Sequence, residues 1–184
     1  GGIISNCTNW GDVTNSSPYV YRIGGILGAA GYATTVEKCH NYGKITNKAD
    51  VTDIYLGGII GETKKDISIS SCTSDCIIAD QSKSKVHSGI IAGSITAPSI
   101  TSCGLRGNDC GNILDSDNWK DHIVGTVTDA SKIITDGSAN SCHFIGTPTK
   151  TKAVLKIGTF NVYSPNARKS DKVTAGRMWP SAIE

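Results

Sequence analysis

Ile4-Ser5-Asn6-Cys7-Thr8-Asn9-Trp10-Gly11-Asp12-Val13-Thr14 is echoed by Val36-Glu37-Lys38-Cys39-His40-Asn41-Tyr42-Gly43-Lys44-Ile45-Thr46, and the likeness of these two stretches decides the fold. Each carries a Cys, then Asn-aromatic-Gly, then a β-branched residue before Thr. Two looser copies follow, Ile69-Ser70-Ser71-Cys72 running to Ile77-Ile78-Ala79, and Ile100-Thr101-Ser102-Cys103 reaching Gly107. The four cysteines Cys7, Cys39, Cys72 and Cys103 lie 32, 33 and 31 residues apart. A second marker runs at the same interval: Ile23-Gly24-Gly25-Ile26-Leu27-Gly28, Leu56-Gly57-Gly58-Ile59-Ile60-Gly61, Ser88-Gly89-Ile90-Ile91-Ala92-Gly93 and a weaker Val124-Gly125-Thr126-Val127. With Gly25, Gly58, Gly89 and Gly125 taken as equivalent, the intervals are 33, 31 and 36. Two markers sharing one period identify an internal repeat.

Each unit is built from short β-branched runs broken by Gly and Asn, which is strand chemistry with turns between. The Cys stretch, the [Val/Ile]-Thr stretch and the Gly-Gly-Ile stretch are each expected to form a strand. The glycines of the last allow a tight bend or a close backbone approach. No segment of helical length carries a 3.6-residue apolar stripe. Three strands in about 32 residues make one turn of a coil, and successive turns pair in parallel at ~4.8 Å. The expected fold is therefore all-β: a right-handed parallel β-solenoid of about four coils over residues 1–145, each coil stabilised by its neighbours. Gly25, Gly58 and Gly89 are assigned structural roles within it.

The repeat resembles the glycine-rich GLUG-type repeats of large bacterial surface proteins. The resemblance rests on Gly24-Gly25-Ile26-Leu27-Gly28, Gly57-Gly58-Ile59-Ile60-Gly61 and Cys-x-Asn-[Trp/Tyr]-Gly, and covers roughly residues 2–130. It implies an extracellular or cell-surface module, with glycan or another surface protein as partner. Charge does not point elsewhere: 18 Lys+Arg against 16 Asp+Glu leaves no field that would argue for nucleic acid or an anionic membrane. No run approaches the ~18 apolar residues of a membrane helix. The chain is read as a monomer.

The repeat also orders the cysteines. Equivalent positions stack, so Cys7, Cys39, Cys72 and Cys103 are expected to form an inward column of thiols, the Cys side chain behaving as a small hydrophobe. Cys76 and Cys110 fall outside that register, and a bridge between them is left open. Cys76 stands where Gly11 and Gly43 stand in earlier units. Metal ligation is not expected, because the adjacent pairs Cys39-His40 and Cys142-His143 would point to opposite faces of a strand.

Trp10 and Tyr42 share one repeat position, and Asp75 and Arg106 follow in the next two units. The register places them in one vertical column. Two roles are open for the aromatics: a platform for sugar rings, or a local stack that stabilises the turn. Asn9 and Asn41 read as turn residues whose amides bond the local backbone. A catalytic solenoid would need clustered carboxylates with a basic residue nearby. Asp12, Glu37, Asp50, Asp53, Glu62, Asp66, Asp75 and Asp80 are scattered through the register, and Arg22 and Arg106 belong to different elements. The chain is read as carrying no complete catalytic site and no cofactor.

After Ile145 the composition changes. Residues 146–153 read as a polar, Pro-containing linker. Val154-Leu155-Lys156-Ile157-Gly158-Thr159-Phe160-Asn161-Val162 then reads as a strand, and Arg177-Met178-Trp179-Pro180 follows. Residues 154–184 resemble the opening of the endonuclease/exonuclease/phosphatase superfamily of metal-dependent phosphoesterases, whose first strand ends in Thr-Phe-Asn. The resemblance implies that Asn161 belongs to a metal and phosphate site, with Mg2+ or another divalent cation as cofactor of the intact domain. The family's metal-binding Glu would lie beyond Glu184. This truncated first strand is expected to dock on the last coil or to be poorly ordered.

Overall fold

In the computed structural model, residues 2–82 and 85–146 are described, together with one strand pair further on. The chain divides into two compact units, Gly1–Pro148 and Thr149–Glu184. The first is a parallel β-solenoid of about four turns, as the period requires.

Its turns lay strands on three faces. Face A stacks Gly2–Ser5, then Leu27–Ala30 and Thr34–Glu37, then Ile60–Ser70, Ala92–Thr101 and Val124–Val127. Face B stacks Thr8–Asn9 with Val13–Asn15, His40–Asn41 with Ile45–Asn47, then Thr73–Asp80, Gly104–Asp109 and His143–Phe144. Face C holds Arg22–Gly24, Asp53–Gly57 and Lys85–Gly89. Among the described residues every pairing between turns is parallel, with one shift of register between Thr63 and Asp66 where Ile60–Ser70 pairs with Ala92–Thr101; the antiparallel exception in this unit is the hairpin that Asn112–Ile113 makes on Gly104–Asp109.

The interior consists of apolar columns, one residue per turn. Ile4, Val36, Ile69, Ile100 and Ile133 share one column of face A. Leu27, Ile60, Ala92 and Val124 share another. Ile26, Ile59, Ile91 and Ile123 are linked through successive backbone hydrogen bonds at 3.0 Å. β-Branched side chains suit such columns because their fixed χ1 packs one above the next on a pleated surface. In the inner turns Val36, Ile59, Ile69, Ile90 and Ile91 have no exposed surface.

The corners also repeat. Asn6, Lys38, Ser71 and Ser102, each the residue before a column cysteine, take left-handed backbone with φ of 55°, 51°, 54° and 53°. Each turns the chain from face A to face B and points the following Cys inward. Asn tolerates this conformation well, Ser and Lys less so.

Two expectations about the glycine motif are corrected. It is a corner and not a third strand: face C ends at Gly24 and Gly57, the next two residues bend, and face A resumes at Leu27 and Ile60. The register also differs. Gly24 and Gly57 pair, and Gly57 pairs with Gly89, so Gly89 does not continue the Gly25–Gly58 column; Ile90 takes that place. Gly125 belongs with Gly28, Gly61 and Gly93. The corrected set Gly28, Gly61, Gly93 and Gly125 is spaced 33, 32 and 32, the regular interval that backbone pairing demands. Gly25 and Gly58 are obligatory for a different reason from flexibility. A Cβ on Gly25 would stand 2.6 Å from Asn41 Nδ2, and one on Gly58 would lie 2.9 Å from Cys76 Sγ and closer still to Ser74.

The possible Cys76–Cys110 bridge does not form; both thiols are free. Cys76 faces Gly107 on the next turn, three positions before Cys110. Three strand residues span roughly 10 Å, beyond the ~7 Å that a disulfide can bridge between Cα atoms.

In the second unit Phe160–Asn161 pairs antiparallel with Lys172–Val173. The linker from residue 147 onward, the remainder of the expected strand 154–162, the side chain of Asn161 and the expected docking of the tail lie outside the described residues.

Candidate functional site

Inside the coil the cysteines form the expected column, and it is longer than the period alone suggested. Cys39, Cys72 and Cys103 are wholly buried and Cys142 nearly so. Each thiol lies near the carbonyl one turn below: Cys39 to Ile4 at 3.7 Å, Cys72 to Val36 at 3.6 Å, Cys103 to Ile69 at 3.9 Å and Cys142 to Ile100 at 3.8 Å. Cys142 is thus a fifth rung. Its interval from Cys103 is stretched to 39 residues by the insertion around residues 134–141, but Cys142-His143 repeats Cys39-His40. Cys7, at the first turn, is exposed. Contact with neighbouring Cys72 and Cys142, then burial, pushes the Cys103 thiol well up. Burial pushes Cys76 up to about 12, so the Cys76 and Cys103 thiols stay protonated.

Two polar columns share the interior. Asn9 Nδ2 donates to Asn41 Oδ1 at 2.8 Å. Asn15 Nδ2 donates to Asn47 Oδ1 at 2.9 Å, and Asn47 Nδ2 to Asp80 Oδ1 at 2.7 Å. Asn41 and Asn47 have no exposed surface. Each amide also closes a turn on its own strand, Asn41 with Gly43 and Asn47 with Ala49. The reading of Asn9 and Asn41 as turn residues captured the local bond but not the bond between turns.

On the outside of face B the structure brings the predicted binding residues together. Trp10 and Tyr42 stack with ring centroids 4.2 Å apart and planes 16° from parallel. Tyr42, Asp75 and Arg106 follow in register, and Asp75 accepts from the Arg106 guanidinium. That bond holds the Arg106 pKa above its usual value. One face of each ring is occupied by the other. Trp10 remains 74% exposed, so its outer face is the open one. Tyr42 and the ion pair below form its backing.

A second cluster, on face C, joins residues that the repeat register had scattered. Arg22, Tyr55 and His87 form one column. Tyr55 and His87 stack at 4.8 Å. The Asp53 carboxylate accepts from Tyr55 Oη at 3.0 Å and lies 2.9 Å from His87 Nε2. His87 Nδ1 meets Thr126 Oγ1 at 2.5 Å, which fits a ring donating from Nε2 to Asp53 and accepting from the Thr hydroxyl. Glu62 accepts from Arg22 Nε, and the Arg22 guanidinium also lies 4.2 Å from the centre of the Tyr21 ring. The bond to Glu62 raises the Arg22 pKa, and burial followed by the bond to Asp53 raises that of Tyr55. Tyr21, Arg22, Asp53, Tyr55 and Glu62, together with Lys64, border a cavity of about 380 Å3. The missed signal was a break in the repeat. Glu62 occupies a position held by Ala29, Ser94 and Thr126 in other turns.

Among the described residues no three His, Cys, Asp or Glu side chains converge as a metal site, and no helix is long and apolar enough to cross a membrane. Comparison of the chain with protein-family models, with curated proteins and with solved structures returned no match.

Proposed function

We propose that the solenoid is a non-catalytic extracellular module for recognition and spacing, which contacts glycan through Trp10 backed by Tyr42. The observation that supports this is the exposed indole on a rigid stack. A large flat ring with one open face, held on a backbone that does not need to order on binding, loses little entropy when a sugar ring lies on it. Asp75 and Arg106 flank the stack with groups that can bond hydroxyls. The external address carries a chemical demand, because free thiols oxidise outside reducing compartments. Burial of Cys39, Cys72, Cys76, Cys103 and Cys142 shields them, which leaves Cys7 and Cys110 exposed. The test is calorimetric titration with neutral oligosaccharides, a readout that does not depend on the indole being replaced. Trp10→Ala is expected to abolish binding at the stack and Tyr42→Ala to weaken it. Unchanged affinity in both variants would remove the proposal.

A second reading is favoured by the separate unit after Pro148 and by its Phe160–Asn161 strand end. In it the solenoid displays a divalent-metal-dependent phosphoesterase or nuclease, with Asn161 at the metal and phosphate site and a cation such as Mg2+ neutralising phosphate charge. Phosphoester cleavage by a longer form of the chain, lost in Asn161→Ala, would support it. Cleavage indifferent to that substitution would count against it.

A further inference from the structure

The cleft on face C departs from the repeat in a way that packing does not require. At the position of Glu62 the other turns place Ala29, Ser94 and Thr126, so a small neutral residue suffices for the coil. Glu62 is instead a carboxylate only 7% exposed, bound to Arg22. An ion pair removed from water is seldom more stabilising than a well-packed neutral pair, since desolvation offsets the Coulombic gain. Stability alone therefore gives no reason for the substitution, and three further polar groups are arranged around it. Asp53 is fixed by Tyr55 and His87, and the guanidinium is fixed by Glu62 and the Tyr21 ring. Side chains that hold one another in place are pre-organised for a ligand.

The chemistry of the cavity narrows the ligand. Two acids, Asp53 and Glu62, balance two bases, Arg22 and Lys64, so neither a polyanion nor a polycation is favoured. Carboxylate and guanidinium planes offer acceptors and donors in pairs, spaced for adjacent hydroxyls. Tyr21, 42% exposed, supplies apolar surface beside them. A volume of about 380 Å3 falls within the range of small-ligand sites. We infer that this cleft is a saccharide subsite, binding a neutral sugar ring through adjacent hydroxyls on Glu62, Arg22 and Asp53 with Tyr21 against the ring. It is separate from the Trp10–Tyr42 stack, which belongs to face B, and it rests on the reading of the solenoid as a glycan-recognition module.

The experiment uses the full chain with maltotriose, cellotriose, mannotriose and xylotriose, and trigalacturonate as the acidic control, followed by saturation-transfer NMR and calorimetry. Tyr21→Ala and Glu62→Gln are compared with Trp10→Ala, and thermal melts establish that each variant is folded. Should Glu62→Gln unfold, Arg22→Lys serves in its place. Two sites are expected for at least one neutral trisaccharide: the cleft site weakens by about tenfold or more in Tyr21→Ala and Glu62→Gln but less than about threefold in Trp10→Ala, while the site on the indole is lost in Trp10→Ala and kept in the cleft variants. Loss confined to Trp10→Ala would retain glycan recognition and remove this subsite. Loss confined to the cleft variants would establish the subsite and remove the role given to Trp10. Absence of binding by every neutral sugar, or tighter binding of trigalacturonate, overturns the inference.

Discussion

Replacing Asn47 by Ala removes the centre of the buried amide column, and its cost can be worked out bond by bond. Asn47 donates to Ala49 O at 2.8 Å and Asp80 Oδ1 at 2.7 Å, and accepts from Asn15 Nδ2 at 2.9 Å and Ala49 N at 3.3 Å. Asn15 Nδ2 keeps Ser17 O and Val20 O, so it is not stranded. Asp80 keeps Ser82 on its other oxygen. The damage falls on Ala49, a buried residue whose N–H and C=O both lose this side-chain partner. Each orphaned buried group costs ~1–3 kcal/mol, and the bond to the Asp80 carboxylate adds more, so the total is about 4 kcal/mol. With a guanidinium m-value of about 4 kcal/mol/M, the unfolding midpoint should fall by about 1 M. Asn9→Ala is the control. Its amide also bridges two turns, but at the first, partly exposed turn water can replace it, and the loss should be about 1 kcal/mol. If Asn47→Ala costs no more than Asn9→Ala, the amide column is not what fixes the turns.

Two other perturbations test the coil. Gly58→Ala should destabilise by more than about 3 kcal/mol, because the added methyl meets Ser74 and Cys76 at once; Gly111→Ala has open space but φ of +96°, and should cost about 1 kcal/mol by the same denaturation assay. The Cys76 thiol gives a pH signature. Its pKa is raised from 9.0 to about 12, so the folded chain keeps a proton that the unfolded chain loses. Below pH 9 both states are protonated and stability is unaffected; between 9 and 12 stability must fall as pH rises. Cys76→Ala should flatten that fall, measured as the midpoint of urea unfolding against pH, and an identical slope in the variant would refute the assignment.

The coil, the cysteine column and the Trp10–Tyr42–Asp75–Arg106 column were legible because a solenoid turns sequence spacing directly into contact. Positions one period apart touch, and no further tertiary rule intervenes. Cys142 escaped because a loop insertion lengthens the last turn while the backbone pairing of Gly104 with His143 keeps the register. The register of Gly89 and Gly125 was misread because identity of residue type was weighed above constancy of interval. Asn15, Asn47 and Asp80 were not recognised as a column because Asn and Asp look like turn residues in any sequence. The face C cleft escaped for a deeper reason. Arg22 and Glu62 lie forty residues apart and on different faces of the repeat, so they meet across a corner and not along a column. A repeat search discards such departures as drift, yet departures are where a repeated scaffold can carry a particular chemistry.

The turn-to-turn bonding also has a mechanical side. Each winding is held only by the one before and the one after, so a pull along the chain ends should peel the molecule like tape from a spool, one winding per event. The windings from Cys7 to Cys39 and onward hold 32, 33 and 31 residues. Releasing one of them would free about 110 Å of extended chain while shortening the spool by only ~4.8 Å.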